Sequence, residues 1–390
     1  MRSNQYRGFT FSVNGTSIRK LIVLTIVGMI SVFILTGIIT SLDSKHGLAS
    51  STIHQWAGQI DGESLVHVLG MENSYFTQVL PEDSTLPNVG SLAFELMTSI
   101  NPDDPRSLLG RELPGFALFD GHIVVAGDGT NFTTMPIESA PPLEVLMEER
   151  QASLRSLEEL ENLQPLPAGN AEQTTGERRV VHVMHSHNRE SFWPELEEGA
   201  SSAFHSEVNI TLVGKRFGQA LERHGIGAEV DDTDVGSVLS ERGWQYGKSY
   251  DAGREIVKEA TAANEHLEFF FEFHRDTQPR EKTTVTINGE QYARTLFVIG
   301  KGNKNYEQNL AIAEELHDLL EEHYPGLSRG IFFPPSAGTN GVYNQDLSPQ
   351  SLLLEVGGVD NNLEEAFRSA DAFAEVFSQY YWNAEKVSEE

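Results

Sequence analysis

Leu21 to Leu42, LIVLTIVGMISVFILTGIITSL, is a run of 22 residues without one charged side chain. As a helix rising ~1.5 Å per residue it is long enough to cross a hydrocarbon core ~30 Å thick. That run constrains everything after it, because the rest of the chain must fold on one side of a membrane. Arg2, Arg7, Arg19 and Lys20 precede it, with no acid among the first 20 residues. The positive-inside rule therefore places residues 1–20 in the cytoplasm and the body outside, on a single-pass helix. A cleaved signal peptide is the competing reading. The length of the span and the lack of a clear small-x-small exit favour a retained anchor.

The chain carries 57 acidic and 28 basic residues, a formal net charge of −29. Binding to nucleic acid needs a basic surface, so that class is excluded as the main task. There is no cysteine. Disulfide scaffolds, thiolate nucleophiles and Cys-ligated zinc are excluded with it, and any metal site must use His, Asp and Glu.

Residues 43–135 read as a small membrane-proximal region without a catalytic constellation. Residues 136–179 open and close with Pro-rich and polar stretches around one charged helix, which is linker composition. From residue 180 to about 385 the pattern alternates. Val180–Met184, Ala228–Val230, Leu267–Phe273 and Ser351–Val356 read as strands. The stretches holding Val213, Phe217, Ala220 and Leu221, then 249–266, 305–326 and 362–381, read as helices. Asn288-Gly289 between two alternating runs marks a hairpin. Strands alternating with helices predict an α/β fold, a mostly parallel sheet covered by helices on both faces.

Open α/β sheets place their sites at the carboxyl ends of strands. His185 and His187 follow the first strand, His274 follows LEFFFEF, and Glu355 ends SLLLEV. Any one of these is a plain loop residue or cap by itself; together they suggest a metal site. A catalytic zinc takes three protein ligands from His and carboxylate. His185 or His187, His274 and one acid could supply them. The acid is either Glu190, in the same loop as His185, or Glu207, ahead of the next helix. Glu355 is the natural general base: it follows three leucines, and a carboxylate partly desolvated by them should have a raised pKa. No H-E-x-x-H or G-x-S-x-G pattern is present, so a thermolysin-type site and a serine elbow are not expected.

With these residues in place the chain resembles the stage II sporulation protein P family, the membrane-anchored cell-wall hydrolases of endospore formers. The stretches that carry the resemblance are HVMHSHNRESFWPEL, NITLVGKRF, FFEFHRDT and SLLLEVGGVDNNLEEAFRSADAFAEVF. The resemblance implies a fold like that of zinc-dependent N-acetylmuramoyl-L-alanine amidases. It implies cleavage of the amide joining glycan to stem peptide in septal peptidoglycan during engulfment, and cleavage of peptide cross-links as a second activity. It implies a catalytic domain on the mother-cell side of the septum, with stage II sporulation proteins D and M as partners. Carried over by motif, His185, His187 and Glu190 fall in the first site motif, His274 in the second, and Glu355 is the catalytic glutamate. The wider amidase group places its acidic ligand before the first long helix, where Glu207 stands. The family's own motif favours Glu190 over Glu207. His185 is favoured over His187, which would then orient a ligand or bind substrate.

Two other classes compete. A wall-binding or scaffold module would keep the fold and use the His/Glu cluster only structurally. A deacetylase or pure endopeptidase would use the same metal on another wall amide.

Overall fold

The computed structural model describes Tyr75 and residues 121–136, 141–148, 171, 173–335 and 339–388. The uncharged run Leu21–Leu42 lies outside the described residues, as do most of residues 43–135 and the charged stretch around residues 149–170. Among the described residues no helix is long and apolar enough to cross a membrane.

The strands are β1 (His122–Ala126), β2 (Arg179–Met184), β3 (Gly227–Val230), β4 (Phe269–Asp276), β5 (Thr284–Ile287), β6 (Glu290–Ala293), β7 (Thr295–Val298), β8 (Ser328–Phe333) and β9 (Ser351–Gly358). Five longer helices accompany them: α1 (Thr211–Arg223), α2 (Val235–Arg242), α3 (Ser249–Ala263), α4 (Tyr306–His323) and α5 (Leu363–Ser388). A short helical turn, Leu143–Met147, precedes β2. Seven strands form one sheet in the order β1-β8-β7-β9-β4-β2-β3, and β5 and β6 form a separate hairpin.

The sheet is mixed, with a parallel majority. β2 pairs in parallel with both β3 and β4, and β4 with β9. β7 runs antiparallel to β9, and β1 antiparallel to β8. The reversal has a local cause. A parallel return needs a crossover of about a dozen residues or more, usually a helix. Only a short turn and the β5–β6 hairpin separate β4 from β7, so the chain folds straight back. The hairpin turn is Asn288-Gly289, with φ of 53° and 89°. Both residues are left-handed, the type I′ geometry that this dipeptide favours. β1 comes from the stretch ahead of the linker and serves as an edge strand, so the sheet begins well before residue 180.

Side chains alternate across a strand with period 2, and this alternation decides which face each residue serves. On β4, Phe269, Phe271 and Phe273 pack against α1 and α5, where Phe271 meets Phe373 and Phe377 at ring-centroid distances of 5.5 and 5.0 Å. Phe217 of α1 stacks on Phe373 at 5.2 Å. α4 adds Ala313, Leu316 and Leu320 to this core. Truncating one such buried phenylalanine to alanine would cost about 3–5 kcal/mol. The opposite face carries α3, with Tyr250 against Leu353 and Val257 against Met184 and Phe270. Phe270, Glu272 and His274 of β4 point to this second face by the same alternation.

Candidate metal centre

β2 ends at Met184, and the next six residues form a tight loop that ends at Glu190, which makes an isolated antiparallel bridge to Phe204. The Glu190 N–H donates to the His187 carbonyl at 3.1 Å, and the Glu190 carbonyl accepts from the Ile210 N–H at 2.8 Å. The pleat extends briefly past the strand. His185 continues the line of Val181 and Val183 into the core side, where its ring lies 6.4 Å from that of Phe273. Gly214 of α1 makes the room. A Cβ there would sit 2.2 Å from His185 Nε2. Burial pushes the His185 pKa down to about 3, with the charge of His274 pushing the same way. His185 is a neutral, enclosed ring.

His187 turns to the other face. Its ring stacks on Tyr246 at 4.5 Å, lies 5.0 Å from Tyr250, and meets the edge of His274 at 4.6 Å. His187 Nδ1 is 3.3 Å from Glu190 Oε1, and His274 Nδ1 is 3.7 Å from Glu190 Oε2. The ligand-capable atoms of His187, Glu190 and His274 all lie within 4.8 Å of one another. The structure therefore brings together Glu190 and His274, as the sequence suggested, but with His187 in the place expected for His185. Glu207 is exposed, in the turn ahead of α1 and outside this group. Its backbone N–H donates to His205 Nδ1 at 3.0 Å.

Charge and hydrogen bonding fix the three groups. Burial would raise the Glu190 carboxyl, but the hydrogen bonds of His187 and His274 prevail and hold it well below the usual carboxylate range. Glu190 Oε2 also accepts from the Arg275 N–H at 2.8 Å. His274 Nε2 lies 3.0 Å from Glu272 Oε1, two residues back on the same face of β4. Burial lowers the His274 pKa, yet the two carboxylates, Glu190 and Glu272, raise it well above its ordinary value. With Nε2 occupied by Glu272, Nδ1 is the nitrogen left to face Glu190.

Glu272 was not among the residues the sequence singled out. Its signal was present, an acid alone inside FFFEF, where a charge has no reason to be buried without a partner. Two imidazole nitrogens and one carboxylate oxygen make the donor set of a catalytic zinc. The carboxylate on the far nitrogen of His274 is the arrangement that orients such a ligand. The residues present fit a divalent metal.

Glu355 sits on β9 opposite His274, in direct register. Its neighbours Leu354 and Val356 point into the α1/α5 core, so Glu355 shares the face of Leu353 and α3. Its Oε2 is buried with no hydrogen-bond partner among the described residues. Burial pushes its pKa up to about 8. His274 and Arg329 oppose that rise, and Asp276 and Glu190 add to it. A buried carboxyl left unpaired beside candidate metal ligands is a group shaped for proton transfer.

Fold and site define a mixed α/β protein with a His/Glu/His cluster and a proton-holding glutamate at the carboxyl ends of adjacent strands. Residues 103–378 match the family described as Stage II sporulation protein P. The chain is 48% identical over 389 residues to the Stage II sporulation protein P of Bacillus subtilis (strain 168), covering 98% of this chain and 96% of that protein. The chain belongs to the stage II sporulation protein P family. Among solved structures, the CwlD amidase of Clostridioides difficile, determined with the GerS lipoprotein, has 14% identity and a TM-score of 0.35, covering 52% of this chain and 98% of that one. Cwp6 of Clostridium difficile has 15% identity and a TM-score of 0.30, covering 51% and 29%.

Proposed function

We propose that this protein is a zinc-dependent N-acetylmuramoyl-L-alanine amidase that acts on septal peptidoglycan during sporulation. The observation that carries the reading is the convergence of His187, Glu190 and His274 on one point with Glu355 held beside them. His187 and His274 would hold the metal through Nδ1, and Glu190 through a carboxylate oxygen. Zinc bound there would supply Lewis acidity toward the scissile carbonyl and lower the pKa of water.

The chain's own groups do the rest. Glu272 keeps His274 oriented with Nδ1 toward the centre. Tyr246 and Tyr250 wall the His187 ring and keep bulk water from it. Glu355 takes a proton from the attacking water and delivers it to the nitrogen of the leaving L-alanine. The carbonyl carbon gains the hydroxyl oxygen as the C–N bond breaks. The products are a muramoyl carboxylate and a free stem-peptide amine.

The uncharged run Leu21–Leu42 anchors the enzyme with its N-terminus in the cytoplasm and its domain on the mother-cell side of the septal wall. Stage II sporulation proteins D and M are the partners this placement suggests. Cleavage of peptide cross-links is a further activity of the same centre.

Digestion of purified peptidoglycan by the full chain, followed by mass spectrometry, tests the reading. Chelator-sensitive release of intact stem peptides with a free L-alanine amine is expected. Release of acetate alone, or of cross-link fragments alone, would replace the amidase by another wall hydrolase. No metal binding and no release would leave a wall-binding module.

A further inference from the structure

Asn188 and Arg189 stand between the two candidate ligands of the loop, and both are buried. The Arg189 guanidinium forks onto Asp234, with Nε 2.9 Å from Oδ1 and Nη2 2.6 Å from Oδ2. Asn188 donates to the same Oδ1 at 3.0 Å and accepts from the Gly236 N–H at 3.1 Å. Asp234 is the N-cap of α2, accepting from the Ser237 N–H. These bonds fasten the loop to the start of α2.

The remaining Arg189 nitrogen reaches elsewhere. Nη1 donates to the Leu146 carbonyl at 3.2 Å, a group 43 residues upstream. Leu146 is 3% exposed, and its side chain packs with Val235, Leu239, Tyr246 and Ala252. Tyr246 is the ring on which His187 stacks. The helical turn Leu143–Met147 thus meets the loop twice, through its backbone at Arg189 and through apolar packing at Tyr246. The sequence around it has the composition of a linker, yet Leu146 is as enclosed as the core.

We infer that Leu143–Met147 is a positioning segment of the metal centre, fixing the His187–Glu190 loop through Arg189 and Tyr246. The inference rests on the assignment of that loop as ligand-bearing. Ligands must be held to within about 0.5 Å of their working positions by groups that are themselves locked. His187 and Glu190 sit on a loop rather than a strand, so the lock must come from what packs behind it. Asp234 and Leu146 are what pack there.

The test uses the full chain, with Leu146→Ala to remove the apolar half of the anchor, which leaves the carbonyl that meets Arg189, and Leu146→Met to preserve volume. Hydrogen exchange is followed in the metal-free chain at the loop 187–190 and in β4, and zinc affinity is measured by titration with zinc ion. In Leu146→Ala, exchange of the Glu190 amide should quicken while β4 keeps its protection. Zinc affinity should fall by about tenfold or more, the scale seen when a group supporting a ligand is lost. Leu146→Met should restore both. Equal loop exchange and equal zinc affinity in Leu146→Ala and the parent would overturn the inference while leaving the metal centre standing. Faster exchange throughout β4 would also overturn it, making Leu146 a residue of the fold alone. If the parent takes up no zinc but the loop still loosens in Leu146→Ala, the positioning role stands and the metal reading fails.

Discussion

His274 and Glu355 are register partners on the parallel strands β4 and β9, and both face α3. The two carboxylate neighbours of His274 favour its charged form, and burial pushes the Glu355 pKa up to about 8, where the carboxyl can take up and release a proton near neutral pH. Both groups hold their protons more tightly than usual, and their adjacent strands set them side by side at the candidate metal centre.

Replacing Glu355 by Gln removes the proton acceptor with almost no change of shape. Turnover of wall substrate should fall by about 10²–10⁴-fold, the usual contribution of a positioned general base. Zinc binding should persist. Parallel metal titration and product analysis of the variant check both halves, and normal turnover would refute the assignment.

His185 and His187 separate cleanly by substitution. His187→Ala should lose zinc affinity and keep most of its stability, because the ring lies beside the candidate ligands. His185→Ala should cost on the order of 2 kcal/mol, because it empties a space between Phe273 and Gly214. Its donors are not among the clustered atoms, so zinc affinity should change less than in His187→Ala. Thermal melting without metal and zinc titration distinguish the two; a reversed pattern would restore His185 as ligand.

Glu272→Ala should weaken zinc binding by about 10–100-fold, since His274 Nε2 loses the carboxylate that orients it. Competition with a chromophoric chelator measures this. Unchanged affinity would show that β4 alone holds the ring.

The metal-free chain should be less stable at pH 8 than at pH 5 through Glu355. Its pKa rises from an ordinary carboxyl value of ~4.3 unfolded to about 8 folded. Between those values the folded state holds a proton that the unfolded state has released, so stability falls as pH rises, and flattens above about pH 8. Denaturant unfolding at a series of pH values follows it, and Glu355→Gln should remove this part of the slope.

Zinc affinity should rise with pH across the neutral range. His274 is protonated in the metal-free chain well above its ordinary pKa, and a ligand nitrogen must lose that proton. Calorimetry in buffers of different ionisation enthalpy should register proton release on binding. Binding with no proton release would mean that His274 keeps its proton and does not ligate.

The amino-acid sequence by itself determined the α/β class, most of the strands after residue 180, the hairpin turn at Asn288-Gly289, and Glu190, His274 and Glu355 as the residues to watch. These are local properties. Apolar runs, turn dipeptides and acids or histidines at strand ends are written within a few neighbouring positions. The sequence did not reveal that β7 and β8 run against the other central strands, nor that β1 joins the sheet from beyond the linker. Those follow from which strand pairs with which across long separations. Between the two histidines, His185 and His187, the sequence favoured His185, whereas the fold sets His187 beside Glu190 and His274. Two residues apart in a strand, they would share one face, but the loop after Met184 breaks the pleat and sends them to opposite sides. His185 goes to Gly214 and the core, and His187 to Tyr246 and Glu190. Only the packing of α1 on one face and α3 on the other decides that, because a side chain's chemistry depends on which neighbours the folded chain sets around it.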